Sequence, residues 1–296
     1  MPLERWDLNR AADLTDFYNE QIRSLPFGYP VMPEELTAGM TWSQAPQLID
    51  HECEELVTFV DHGKILAMVH LGCCRYPGSD EKLGLIRFFA CQSDCVDEAR
   101  DALRCAEKLL AERDLHRIIA FPIEHGYRCY QAGRGFLVDR WTHILGLLRT
   151  QGYEYDEGQV LLQMESLDRT PFVTPDPISD IEVVVTPGAG DSTDLRIELV
   201  RGDQQLGRCT SRGLSVHHST VEARDQFIVE GLHVTGDLRG QGWGRYLLSR
   251  MHHERAEQGY RRATIGTDRD NSVALLLYGS CGYQITCSEW TFCKSL

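Results

Sequence analysis

The chain has 296 residues, 42% of them hydrophobic and 25% charged, which is ordinary for a globular protein of about two domains. It contains no apolar run of the roughly 18 residues needed to cross a bilayer, and Met1–Leu14 hold acidic side chains but no apolar signal core, so a cytoplasmic protein without membrane partners is expected. The net charge of −14 is uneven, with 17 Lys/Arg against 29 Asp/Glu over residues 1–177 and 13 against 15 over 178–296; such a surface argues against a nucleic-acid partner and favours a cationic ligand.

In chain order, helices are predicted over Asp13–Leu25 and Pro33–Met40. Leu56–Val60 and Ile65–Leu71 read as strands around a turn at Asp61–Lys64, and Leu85–Ala90 as an apolar strand. Asp97–Asp114 reads as a charged amphipathic helix with Ala102, Ala106, Leu109 and Leu110 on one face. A buried strand over Ile118–Ile123, a helix over Thr142–Thr150 stopped by Gly152, and a strand over Val160–Met164 close a first domain, residues 1–168. Three prolines between Ser166 and Asp180 mark a linker, 169–179. The second domain, 180–296, opens on a strand at Ile181–Val185, followed by a hairpin, Leu195–Val200 with Leu206–Ser211. A long strand, Gln226–Val234, leads to a helix, Gly242–Gln258. Then come a strand (Arg262–Thr267), a short helix (Ser272–Ser280) and a strand pair in Tyr283–Cys293.

Both halves share the order hairpin, strand, long helix, strand, short helix, strand. The fold class is α+β (α/β): two domains, each a mixed, mostly antiparallel sheet flanked by helices. The second lacks the two opening helices of the first, and the first is expected to cover the surface they would bury. Eleven cysteines occur in no CxxC or zinc spacing, so reduced thiols and no metal are expected. His252 and His253 lack the spacing of a zinc helix, and His217 and His218 read as exposed loop residues.

The strongest local signal is a strand that runs into Arg239-Gly240-Gln241-Gly242-Trp243-Gly244 and opens a helix. Glycines let backbone curl closely around a ligand, and a helix start offers free N–H groups and a positive dipole end to an anion. Arg239 and Arg245 add charge. The Lys-Ser/Thr of a Walker loop is missing, and the glycine spacing is not that of a dinucleotide fingerprint.

Arg239, Gly242 and Gly244 resemble the Arg/Gln-x-x-Gly-x-Gly/Ala motif of the GNAT acetyltransferases. The stretch from Asn271 to Tyr278, followed by Gly282-Tyr283, resembles that family's next motif. The resemblance covers residues 180–296; the first half shares only the element order, and its loop Cys91–Asp97 has no glycine. A tandem GNAT protein with a degenerate first domain is implied. The resemblance implies acetyl-CoA as co-substrate, its arm bonded to free backbone groups of Leu232, His233 and Val234 and to Asn271. Its diphosphate would be held by the loop from Arg239 through Gly240, Gln241, Gly242, Trp243 and Gly244 to Arg245. Tyr278 is the candidate general acid toward the departing thiolate, and Glu230, then His233, the candidate base. Direct transfer to a small amine, a cationic one being favoured, is expected in a site between the domains that Phe27, Tyr29 or Trp42 would help to line. A non-catalytic acetyl-CoA-sensing or interaction module and a protein N-acetyltransferase are the alternatives.

Overall fold

The computed structural model describes residues 3–5, 10–41, 50–75, 81–167, 180–190 and 192–296, with the backbone alone in 3–5 and 50–53. Its contacts divide the chain into two units, Met1–Gly158 with Ser288–Leu296, and Gln159–Cys287.

The first unit contains β1 (Leu3–Arg5), α1 (Ala11–Ile22), α2 (Pro33–Met40), β2 (Asp50–Asp61), β3 (Lys64–Arg75), β4 (Lys82–Cys91), α3 (Val96–Ala111), β5 (Arg117–Ala120), β6 (Leu137–Val138) and α4 (Thr142–Thr150). Its strands run β1-β2-β3-β4-β5 and end on β13 (Gln284–Ser295), which β6 also joins. Pairing is antiparallel except between β4 and β5. β4 is buried on both faces, as its apolar residues from Leu83 to Cys91, broken only by Gly84 and Arg87, require. The α3 stripe of Ala99, Ala102, Leu103, Ala106 and Leu110 is fully buried.

The second unit holds the latter part of β7 (Glu154–Met164), then β8 (Glu182–Pro187), β9 (Asp194–Arg201), β10 (Gln204–Gly213), β11 (Gln226–Val234), α5 (Trp243–Glu257), β12 (Arg262–Asp268) and α6 (Ser272–Ser280). The order is β7-β12-β11-β10-β9-β8, and β11 with β12 is the parallel pair. One face carries α5, whose Leu247, Leu248 and Met251 pack with Ile197, Leu199, Cys209, Phe227 and Val229.

Four expectations change. Val160–Met164 does not close the first unit but pairs with β12, Met164 facing Ala263 and Val160 facing Thr267. The expected final strand pair is one strand, β13, whose end pairs with β5 of the first unit, Phe292 facing Ala120. An alternating pattern fixes which face of a strand is buried, not which edge it joins. The units are therefore not cut at 168 and 180, and the expected linker falls outside the described residues. β5 stops at Ala120, because Phe121 turns the chain at φ 58°. Lastly, Cys73 is disulfide-bonded, facing Cys53 in the β2–β3 register.

The duplication extends to helix ends. α4 is followed by Gln151-Gly152-Tyr153 and α6 by Cys281-Gly282-Tyr283, with φ 86° at Gly152 and 97° at Gly282. Tyr153 N donates to Leu148 O at 3.0 Å, and Tyr283 N to Tyr278 O at 3.1 Å. Both are Schellman closures of a nine-residue helix.

Arg255 on α5 holds the polar end of the second core. It is 1% exposed. Its Nε donates to Ser211 Oγ (2.9 Å) and its Nη2 to Thr193 O (2.7 Å) and Ser211 O (2.9 Å), while the guanidinium lies over the Phe227 and Tyr260 rings. Hydrogen bonds from a charged group each contribute about 1.5–3 kcal/mol, and orphaned buried acceptors add cost. Arg255→Ala is expected to lower unfolding free energy by about 3 kcal/mol, measured by denaturant titration.

Candidate active site

The parallel ladder of β11 and β12 has four pairs and stops at Val229 facing Ile265, although β11 runs on to Val234 and β12 to Asp268. The strands part there, freeing the β12-facing backbone edge of β11 from Glu230 onward. At the same point Glu230 is skipped in the register with β10: Thr210 faces Gly231 and Ser211 faces Val229. Such a bulge re-aims a side chain. Glu230 projects into a cleft of ≈ 440 Å³ that Thr186, Asp194, Arg196, Arg208, Thr210 and Arg212 also line. Its carboxylate lies 3.2 Å from Arg212, which also pairs with Asp194 at 2.7 Å. Partial removal from water raises the Glu230 pKa above the usual carboxylate value, Arg212 opposes that rise, and Asp194 adds to it.

Beyond β11, Arg239 Nε donates to Val234 O at 3.0 Å and Gln241 Nε2 to Asp237 O at 2.6 Å, which folds the loop back on the strand end. Gly240 and Gly242 hold φ of 76° and 88°, the left-handed region that costs an L side chain about 1–2 kcal/mol. Gly242 is the N-cap of α5; no side chain caps this helix and its first turn has no acidic residue. The first N–H groups therefore face outward. Arg239, Gly240, Gln241 and Gly242 are exposed. Gly244 is inside the helix, near Leu277 and Val234. Trp243 has its indole in the core, so only its backbone is available to a ligand. Arg245 is engaged at the end of α6, its Nη2 donating to Ser280 Oγ at 2.7 Å.

Asn271 is the N-cap of α6, its Oδ1 accepting from Ala274 N at 3.1 Å; this leaves the amide Nδ2 as a donor. Tyr278, two turns on, is 7% exposed. Burial pushes its pKa up to about 12, and its hydroxyl has no partner among the described residues. Leu232 and Val234 pack against the core under α5. His233 faces Arg208, is exposed, and does not line the cleft. Cys281 is buried, its thiol pKa raised by that burial.

Sequence reasoning missed the cleft partners Asp194, Arg196, Arg208 and Arg212. The signal was there: charged residues alternate with apolar ones along β9 and β10, so they share a face. His217 and His218, read as exposed, are 5% and 1% exposed, because the turns after β10 pack on β11; desolvation lowers the His218 pKa to about 4. His252 is also buried, its Nε2 2.8 Å from Tyr283 Oη. Of the aromatic residues considered, Phe27 is buried in the first unit, and Trp42 is outside the described residues.

The first unit repeats the backbone but not the chemistry. Its parallel ladder ends at Ile86 facing Ala120, and the next residue, Arg87, is skipped in the β3 register. Arg87 therefore occupies Glu230's place. It is 2% exposed, donates to His125 O (3.0 Å) and Met40 O (2.8 Å), and pairs with Glu54. Counting from the shared helix ends, Trp141 stands for Asn271 and Leu148 for Tyr278. The first turn of α3 carries Asp97 and Glu98, which repel an anion from that helix mouth.

No family profile matches the sequence, and no curated protein matches it either. Solved structures do. A tandem GNAT protein from the clavulanic acid biosynthesis pathway has a TM-score of 0.70 at 11% identity, over 99% of this chain and 98% of its own. A GCN5-related N-acetyltransferase from Sphaerobacter thermophilus has 0.65 at 12%, over 99% and 95%. The GCN5-related glucosamine N-acetyltransferase region of a fungal multi-domain β-N-acetylglucosaminidase has 0.70 at 12%, over 99% of this chain and 38% of that one. No helix among the described residues is long and apolar enough to cross a membrane. Two units of one design, each with a parallel pair that ends beside a bulge, and structural matches over nearly the full length together give the chain a tandem GNAT fold.

Proposed function

We propose that the second unit transfers an acetyl group from acetyl-CoA to a small amine, directly and in a ternary complex. The reading rests on one conjunction: an uncapped helix mouth with left-handed glycines lies beyond a parallel pair that parts at Glu230. Backbone amides from Arg239 to Arg245 hold the diphosphate, with Arg239 adding charge while Arg245 stays on Ser280. The free β11 edge, at Leu232 and the N–H of Val234, whose carbonyl already accepts from Arg239, bonds the pantetheine arm and polarises the thioester carbonyl. Asn271 adds its Nδ2. The acceptor arrives as an ammonium and loses a proton to Glu230; its nitrogen attacks the carbonyl carbon, the C–S bond breaks, the proton shed by the acylated nitrogen passes to the departing thiolate, and amide and coenzyme A leave. Positioning supplies much of the acceleration. Glu230 is preferred to His233 as base because it lines the cleft.

Tyr278 acts toward the sulfur. With a pKa near 12 against about 8.5 for a thiol, its proton stays on oxygen at equilibrium, so its role is a strong hydrogen bond to the departing thiolate. The reaction is confined to the second unit, since Arg87, Trp141, Leu148 and the acidic mouth of α3 replace each group used here.

The test is thiol release from acetyl-CoA with a panel of amines, with the acetylated product identified by mass spectrometry. Tyr278→Phe, which removes one hydrogen-bond donor to the developing charge, is expected to lower kcat about 100-fold with coenzyme affinity unchanged. Tight coenzyme binding with no turnover of any amine would favour a sensing module instead.

A further inference from the structure

We infer that the acceptor carries an anionic group on the far side of its amine, held by Arg196 and Arg208. This rests on the reading of Glu230 as the group that faces the amine.

The cleft beside Glu230 is lined by three arginines and two carboxylates. Arg212 is used up internally, since it pairs with both Asp194 and Glu230. Arg196 and Arg208 are exposed in the cleft and pair with no described residue. Glu198, the residue facing Arg208, accepts a hydrogen bond from Gln205. In a chain of net charge −14, two cations beside the candidate base thus lack carboxylate partners.

Register sets the geometry. Arg196 on β9 faces Thr210 on β10, which faces Gly231 on β11, the neighbour of Glu230. Two strand spacings of about 4.8 Å therefore separate the backbones that carry the cation and the base. Both side chains reach into one cleft, so the gap suits a short acceptor with an ammonium at one end and a carboxylate or phosphate at the other. A planar guanidinium recognises either group through paired N–H donors. The ≈ 440 Å³ volume is that of a small-molecule site. The coenzyme's phosphates do not account for these arginines. On the reading proposed above the arm runs along the β12 side of β11, whereas β10 and β9, which carry these arginines, lie on the other side.

The experiment uses the full chain and matched acceptors: 4-aminobutyrate against 4-amino-1-butanol, O-phosphoethanolamine against ethanolamine, and putrescine as a dication. The anionic member of at least one pair is expected to show kcat/KM at least 30-fold above its neutral twin, and which pair responds tells carboxylate from phosphate. Arg196→Ala with Arg208→Ala should remove that preference, with the neutral twin and the KM for acetyl-CoA unchanged. Preference for putrescine or the alcohols, an equal fall for both twins, or a raised acetyl-CoA KM overturns the inference. If no amine is acetylated, the transferase reading fails, and the same panel is scored by melting temperature with coenzyme A present. Stabilisation by anionic amines in the native chain but not in the double variant then supports the arginine site, and equal stabilisation overturns it.

Discussion

Gly242→Val is expected to weaken coenzyme A binding at least 100-fold, measured by calorimetry, while both units stay folded. Gly242 caps α5 at φ 88° and ψ −5°, where a β-branched residue is a genuine outlier. The chain relieves that strain by rotating the cap to a negative φ, which turns the N–H groups of the loop away from a common point. Core packing is untouched because Gly242 is exposed. Gly244→Ala is the matched control. It sits in the helix, and an added Cβ meets Leu277 Cδ2 at 3.5 Å and Val234 Cγ2 at 4.0 Å, both ordinary contacts, so affinity should change only a few-fold. Equal affinity of the valine variant and the native chain would remove the helix mouth from the proposed site.

Glu230→Gln is expected to lower kcat/KM at neutral pH by about 100- to 1000-fold, within the range of general-base catalysis, and to leave coenzyme affinity unchanged. The native profile should rise with pH as Glu230 loses its proton, at a point above the ordinary carboxylate value because the cleft raises it. In the variant that limb should move to the acceptor's own ionisation at higher pH. Stability gives an independent check. A carboxylate whose pKa is raised by folding binds its proton more tightly in the native state, so its contribution declines as pH rises from the ordinary value through the raised one. Removing the charge should leave the fold no less stable at neutral pH, so lost activity cannot be ascribed to unfolding. An unchanged pH profile would assign Glu230 a structural role as the partner of Arg212.

These effects depend on features of unequal visibility in the sequence. The glycine loop was legible because helix starts and left-handed turns are local: Gly240 and Gly242 adopt positive φ where their spacing suggests. The α6 positions were legible for the same reason, since a seven-residue spacing puts Asn271 and Tyr278 on one helix face. Glu230 was legible only as a residue on the central strand. Its aim into the cleft comes from a bulge against β10, and a bulge depends on two strands at once.

Residue order therefore determined the element types, the doubled design and the glycine loop that opens α5, all of which follow from periodicity and local backbone preference. Tertiary structure alone decided which edge β7 and β13 would join, because alternation specifies a buried face and not a neighbour. It also decided the cleft beside β11. Asp194 and Arg196 lie on β9, Arg208 and Arg212 on β10, and only the register of β9, β10 and β11 puts two arginines without carboxylate partners beside Glu230.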